Sequence, residues 1–388
     1  MVEIIKKQMV DFYLKMKINE YLKNIFSTSY EKNVLLVYIT SAFSNKVRFS
    51  HSNLWECKLA GEIFNELGYN VDVINYNTKK NIDISKYDII YGLGETLEKL
   101  FIQKSENQLF INYATGCNPI WSNIQTIKKV RYFSEQSGII LPESSRLIHH
   151  TQHLQILLSD HVIVLGDDFV KNTYLLFDDK KERYSNLNAF YFHSHDVKAG
   201  SKVLDLARKN FLWFGSAGAL HKGLDLCLDF FSKNLDLHLH ICGLNMDSEK
   251  RFVEYYKKEL LSLPNIHYHG FVGIDTQEFS KILENCGYVI FPSVSEGGAV
   301  ALLNVIGNGG LLPIYSKSTG VPFDKLGFEF NEINISNISK SINKALEISN
   351  DEYLRRANGL QSVVIEEFSI DIYKTNLKKI ISNIINDN

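Results

Sequence analysis

From Val34 onward, short apolar runs alternate with stretches of helical spacing, and this alternation restricts the fold more than any other feature of the chain. VLLVYI (Val34 to Ile39), Val71 to Ile74, Asp88 to Tyr91, Leu109 to Tyr113 and His161 to Leu165 are predicted as strands. Leu54 to Leu67, closed by Gly68, is predicted as a helix. Strands separated by helices pair in parallel, and a parallel sheet collects ligands beyond the carboxyl ends of its strands. The rhythm breaks once, at the polar segment HSHDVKAGSK (His193 to Lys202), and then restarts at Asn210 to Phe214. The 388 residues suit two domains of ordinary size. We therefore expect an α/β protein with an N-terminal Rossmann-like domain over residues 31–198 and a C-terminal one over 203–368. A last helix covers 369–388. Residues 1–30, with apolar and basic residues at roughly helical spacing, are expected to form a helical extension, packed on the first domain or laid on an anionic membrane surface.

Within the second half, the stretch YVIFPSVSEGGAVALLNVIGNGGLLP (Tyr288 to Pro313) carries the most chemistry. A continuous apolar run reads as a buried parallel strand. Pro292 ends it, and Glu296-Gly297-Gly298 leads into an apolar helix. A helix start has unpaired N–H groups, and glycines without Cβ atoms admit an anion to them, so Gly297, Gly298 and Ala299 are candidate diphosphate ligands. A carboxylate at that place suits a ligand that also carries hydroxyl groups. A second small-residue loop, Gly215 to Gly223, follows the first strand of this half and holds Lys222. Gly243 and Gly270-Phe271 close the next two strands.

The Tyr288 to Pro313 segment resembles the signature of retaining glycosyltransferases of the GT-B architecture, the large family four. In that signature Pro-Ser precedes Glu-Gly, and a second Glu follows the first by eight residues. Here Glu296 is the first, and Asn304 stands at the second position. The resemblance implies two Rossmann-like domains facing each other across a cleft, with the last helix crossing back onto the first domain. It also implies transfer of a sugar from a nucleotide diphosphate sugar to a carbohydrate or lipid-linked acceptor, in surface polysaccharide or glycolipid assembly. In those terms Glu296 touches the sugar and Asn304 the ribose. Lys222 and the Gly297 to Ala299 amides meet the diphosphate, and the loops at Gly215, Gly243, Gly270 and Phe271 hold the nucleotide. The family's arginine after the strand-ending glycine is Ser216 here, and His221 is a candidate replacement for its charge. The family histidine that faces the donor belongs to the loop Thr115 to Asn118, which has none; His51, before a helix expected to face the cleft, is the candidate in its place. Asn53, Glu56, Thr115 and Asn118 are candidates for the acceptor side.

Other signals are weaker. Gly92-Leu93-Gly94-Glu95-Thr96-Leu97 imitates a dinucleotide fingerprint but lacks the third glycine, and reads as a tight turn. The pairs His193/His195, His238/His240 and His267/His269 each put two imidazoles on one face of an extended segment, without cysteines at matching spacing, and structural histidine is the favoured reading. There is no Asp-x-Asp, so a metal-independent site without cofactor is expected. Net charge is -2, which gives no field for nucleic acid. Five scattered cysteines, no membrane-length apolar run and no cleavable leader point to a cytoplasmic protein, with possible peripheral contact at the inner membrane face. The competing readings are a nucleotide-sugar epimerase of the same architecture and a catalytically degenerate subunit that acts as a binding module.

Overall fold

A computed structural model describes residues 20–44, 51–150, 152–323 and 326–388. The strands are β1 (Tyr21–Leu22), β2 (Lys32–Tyr38), β3 (Tyr69–Asn75), β4 (Ile89–Gly92), β5 (Leu109–Ala114), β6 (His161–Leu165), β7 (Tyr184–Leu187), β8 (Asn210–Phe214), β9 (His238–Cys242), β10 (Ile266–Gly270), β11 (Tyr288–Phe291), β12 (Leu312–Ser316) and β13 (Phe328–Phe330). The helices of the first half are α1 (Ser52–Glu66), α2 (Gly94–Leu100), α3 (Pro119–Ser137), α4 (His153–Leu158) and α5 (Asp168–Leu175). Those of the second half are α6 (Leu204–Ala207), α7 (Leu224–Phe231), α8 (Lys250–Tyr255), α9 (Lys257–Ser262), α10 (Gln277–Asn285), α11 (Val300–Gly309), α12 (Ile335–Glu347), α13 (Asn350–Glu367) and α14 (Ile370–Asp387).

Among the described residues the first sheet has the order β1-β3-β2-β4-β5-β6-β7 and the second β10-β9-β8-β11-β12-β13. All neighbours pair in parallel except β1 with β3. The reason is visible in β11 and β12, which are buried along their whole length because helices cover both faces. Two Rossmann-like sheets thus stand side by side, joined by residues 188–198, which have no regular secondary structure.

The final helix, α14, returns to the first domain. Tyr373 Oη lies 2.9 Å from Tyr113 Oη, and Lys374 pairs with Glu62 and Glu66 on α1 at 3.0 and 2.8 Å. One hydrophobic cluster accordingly runs from β2 through Phe190 and Phe192 of the connection to α11 and α14.

The helical extension expected over residues 1–30 is corrected where it is described. Residues 1–19 lie outside the described part. Tyr21 and Leu22, however, pair antiparallel with Ile74 and Val73 as strand β1. The buried Asp72 accounts for this, since it accepts from Tyr21 Oη at 2.9 Å and from the Asn24 amide at 2.7 Å. These tertiary bonds outweigh local helical spacing.

Candidate active site

The loop before α7 and the turn after β11 are stitched together by their backbones. Val294 N–H donates to His221 O at 2.9 Å, and Trp213 Nε1 donates to Lys222 O at 3.2 Å. Gly223 has φ +66, and a Cβ there would stand 2.5 Å from Pro292 O, so only glycine lets the loop lie this close. The consequence is that Lys222 Nζ reaches Glu296 Oε1 at 2.6 Å. Ser293 Oγ donates to the same oxygen at 2.7 Å, and among the described residues no hydrogen bond to Oε2 is formed, so it can accept a ligand hydroxyl.

Burial alone would raise the pKa of Glu296, but the ammonium of Lys222 and the guanidinium of Arg146 outweigh it and hold the carboxyl down at about 2. Burial likewise pushes the Lys222 ammonium below its usual range, with Glu296 opposing. Lys222 lies under Glu296, its side chain only 7% exposed.

Glu296 looks into a cleft between the two halves of about 170 Å³, open to solvent. Thr115, Gly116, Cys117, Arg146 and Tyr174 line it from the first domain, and His221, Ser295 and Gly297 from the second. Cys117 Sγ donates to Glu296 O at 3.3 Å, a bond between the two domains at the cleft wall.

Several sequence-predicted roles are revised by this geometry. The glycine pair meets the first domain in place of an open anion site. A Cβ on Gly297 would come within 2.2 Å of Thr115 O, and one on Gly298 within 2.5 Å of Ala189 Cβ. Helix α11 begins only at Val300, after Ala299 in a left-handed conformation with φ +38, so the amides of Gly297 to Ala299 are not its first turn. Asn304 Oδ1 accepts the Phe192 amide at 2.7 Å, and Asn308 Oδ1 accepts those of Ser194 and His195 at 2.7 and 2.8 Å. Asn304 thus clamps the connection between the halves, and its carbonyl is taken. The amides of Gly218 and Ala219 are filled by the buried Glu249 carboxylate, the first at 2.6 Å. Burial lowers the pKa of His221 to about 4, which leaves the ring neutral near pH 7; Nε2 then donates to Ser295 O at 2.9 Å and Nδ1 accepts from Thr126 Oγ1 at 3.0 Å.

On the first domain, Thr115 is exposed at the cleft, as expected. Asn118 is buried and caps α3 through the amides of Ile120 and Trp121, which explains its place without a ligand. Glu56 is on the buried face of α1, where it accepts from Tyr38 Oη at 2.7 Å and burial raises its pKa. His51 is exposed and caps α1 by accepting from the Asn53 amide at 3.4 Å; neither residue lines the cleft. Gly215, Gly243 and Gly270 end adjacent strands, with Gly243 N–H on Gly270 O at 2.6 Å. Beside them Ser216 is exposed and the Phe271 ring is 81% exposed. Gly92 and Gly94 form the tight turn, the Gly94 amide being taken by Gln155 Oε1. Among the described residues no group of three or more His, Cys, Asp and Glu converges to hold a metal.

Arg146 and Ser293 were not singled out in the sequence. Ser293 has a local signal, since it precedes the Glu296 turn. Arg146 has none, because it reaches the site from the opposite domain.

Residues 200–357 match the family model described as Glycosyl transferases group 1. No curated protein matches the chain in sequence. Among solved structures, sucrose-phosphate synthase from Thermosynechococcus elongatus aligns with a TM-score of 0.65 at 12% identity, over 92% of this chain and 100% of that one. HepE of Anabaena in complex with UDP-glucose aligns with a TM-score of 0.59 at 11% identity, over 91% and 99%. TarM aligns with a TM-score of 0.50 at 16% identity over 74% of this chain, which spans only 54% of TarM. At these identities the likeness is one of fold, and that fold is GT-B.

Proposed function

We propose that the chain is a glycosyltransferase that takes a sugar from a nucleotide diphosphate sugar and passes it, with retained anomeric configuration, to a carbohydrate or lipid-linked acceptor in surface polysaccharide or glycolipid synthesis. The observation that carries this reading is the Glu296 carboxylate, ionised and fixed through Oε1 by Lys222 and Ser293, with Oε2 available in an interdomain cleft. The group 1 match over residues 200–357 supports it, as does the fold shared with a HepE structure that contains UDP-glucose. In this reading Oε2 accepts a hydroxyl of the transferred sugar, which positions the anomeric carbon. Gly215, Ser216, Gly243 and Gly270 edge the nucleotide site, where the exposed Phe271 ring offers a face for the base. Thr115 stands on the acceptor side. Protein cations meet the diphosphate charge, so the reaction proceeds without a metal or other cofactor. The protein works in the cytoplasm, at the inner face of the membrane where the acceptor is lipid-linked; among the described residues no helix is long and apolar enough to cross it.

A second reading, a binding module without transfer, is favoured by Asn304 and by the loop amides that Glu249 occupies. Incubation with a panel of sugar nucleotides and acceptors separates the two. The enzyme reading expects release of nucleoside diphosphate, a product whose NMR coupling shows the donor's anomeric configuration, and a loss on the order of 10²-fold in kcat for Glu296→Gln. Binding of a sugar nucleotide with no release would leave the module reading.

A further inference from the structure

The cleft needs a positive group for a diphosphate, and the residue expected to supply it, Lys222, is buried with its ammonium on Glu296 at 2.6 Å. Together these two side chains carry no net charge. His221 is neutral, and the Gly218 and Ala219 amides already hold Glu249. Among the described residues that line the cleft, the remaining cation is Arg146.

Arg146 belongs to the first domain but lies on the second. The Ser144 carbonyl accepts the His221 amide at 3.2 Å. A Cβ on Gly218 would stand 3.0 Å from Arg146 Cβ and 3.3 Å from its Cδ, so the arginine stem runs along the loop that carries Lys222. Its backbone is in the left-handed region with φ +52, a conformation that a residue with a Cβ adopts at some cost. The side chain is exposed and makes no ion pair or hydrogen bond among the described residues. Its charge nevertheless acts on Glu296, Lys222 and His221.

We propose that Arg146 is the direct phosphate contact of this cleft, supplied from the domain opposite Glu296, and that Lys222 is a positioning residue that holds the Glu296 carboxylate. This rests on the nucleotide-sugar reading. A guanidinium presents two parallel N–H groups to two phosphate oxygens, which an ammonium does not. A donor so held spans the domains, with its phosphates on Arg146 and its sugar on Glu296. The serine at 216 then leaves no deficit of charge, because the second cation comes from across the cleft.

Calorimetric titration of the full chain with inorganic pyrophosphate, with UDP, ADP and GDP, and with the matching unphosphorylated nucleosides tests this. Arg146→Gln is expected to raise the Kd for the preferred diphosphate by ~10-fold or more, with nucleoside binding unchanged. Arg146→Lys is expected to recover only part of the loss, and far-ultraviolet dichroism checks that both variants are folded. Diphosphate binding that is equal in wild type and Arg146→Gln would overturn the Arg146 assignment and leave the donor reading standing. Arg146-dependent binding of pyrophosphate with no binding of any nucleotide would uphold the phosphate contact and remove the donor reading. A wild-type protein that binds none of these ligands would overturn both.

Discussion

Glu296 and Lys222 form a buried pair in which each charge depends on the other. Removing one partner leaves the second uncompensated, a change that costs about 3–5 kcal/mol for a buried pair. Lys222→Met, which keeps the stem, is therefore expected to lower stability by that order in urea unfolding. The pH dependence follows from the depressed acid. The folded pKa of about 2 lies below the ordinary carboxylate value, so the pair's contribution is present above pH 4.5 and lost as pH falls toward 2. Without the ammonium this acid-labile contribution is absent, so stability is expected to fall less between pH 4.5 and 2 in Lys222→Met than in wild type. An equal fall in the two proteins would show that the pair does not control the ionisation of Glu296. The sequence showed that these two residues belong together, because both follow strand ends of one parallel sheet. It did not show that Lys222 lies underneath, since depth depends on how Gly223 docks against Pro292.

Strands β9 and β10 carry a ladder of four imidazoles on one face of the second sheet. His238 Nδ1 lies 3.1 Å from His267 Nε2, and His240 Nδ1 lies 3.0 Å from His269 Nε2. His240 also meets Asn210 of β8 at 2.9 Å, and His269 stands 3.9 Å from Glu278 of α10. The ring nitrogens bond to one another and do not converge on a point. Burial, and then the neighbouring imidazoles, push His240 down to about 3; burial also lowers His267 and His269. The unfolded chain takes up protons below about pH 6.5 that the folded ladder refuses. Stability from this element is thus full above that pH and lost as pH falls toward 3, by roughly 2 kcal/mol for His240 alone between pH 7 and 5. Urea midpoints across that range are expected to fall less steeply in His240→Gln than in wild type, and parallel slopes would contradict this. Strands such as β11 were legible because their apolar runs are continuous, and β9 and β10 because apolar residues alternate with histidine. Helices α4 and α5 and strand β7 were not, because their amphipathic signal is short and their positions depend on contacts such as Arg183 with the Leu157 and Ser159 carbonyls.

At the scale of the whole molecule, the two halves are bound at more than their connection. Helix α3 of the first domain places Lys129 on Asp225 of α7 at 2.5 Å, both buried, and Tyr132 Oη accepts the Ile335 amide at 3.3 Å. Gly297 and Gly298 meet Thr115 and Ala189, and Asn304 and Asn308 fix residues 192–195. Two sheets, a cleft and a returning last helix were all expected from the βα rhythm and the resemblance it supports. The closure of the cleft was not, because a glycine that admits a phosphate and a glycine that admits a facing backbone look the same in a sequence. Asn304, expected at a ribose, accepts the Phe192 amide through Oδ1. Equilibrium titration of wild type and Glu296→Gln with UDP, ADP and GDP, each with and without an attached sugar, tests the central claim most directly. The account predicts that one nucleotide class binds and that the attached sugar strengthens binding to wild type only. No binding by wild type, or a sugar contribution that survives in Glu296→Gln, would contradict it.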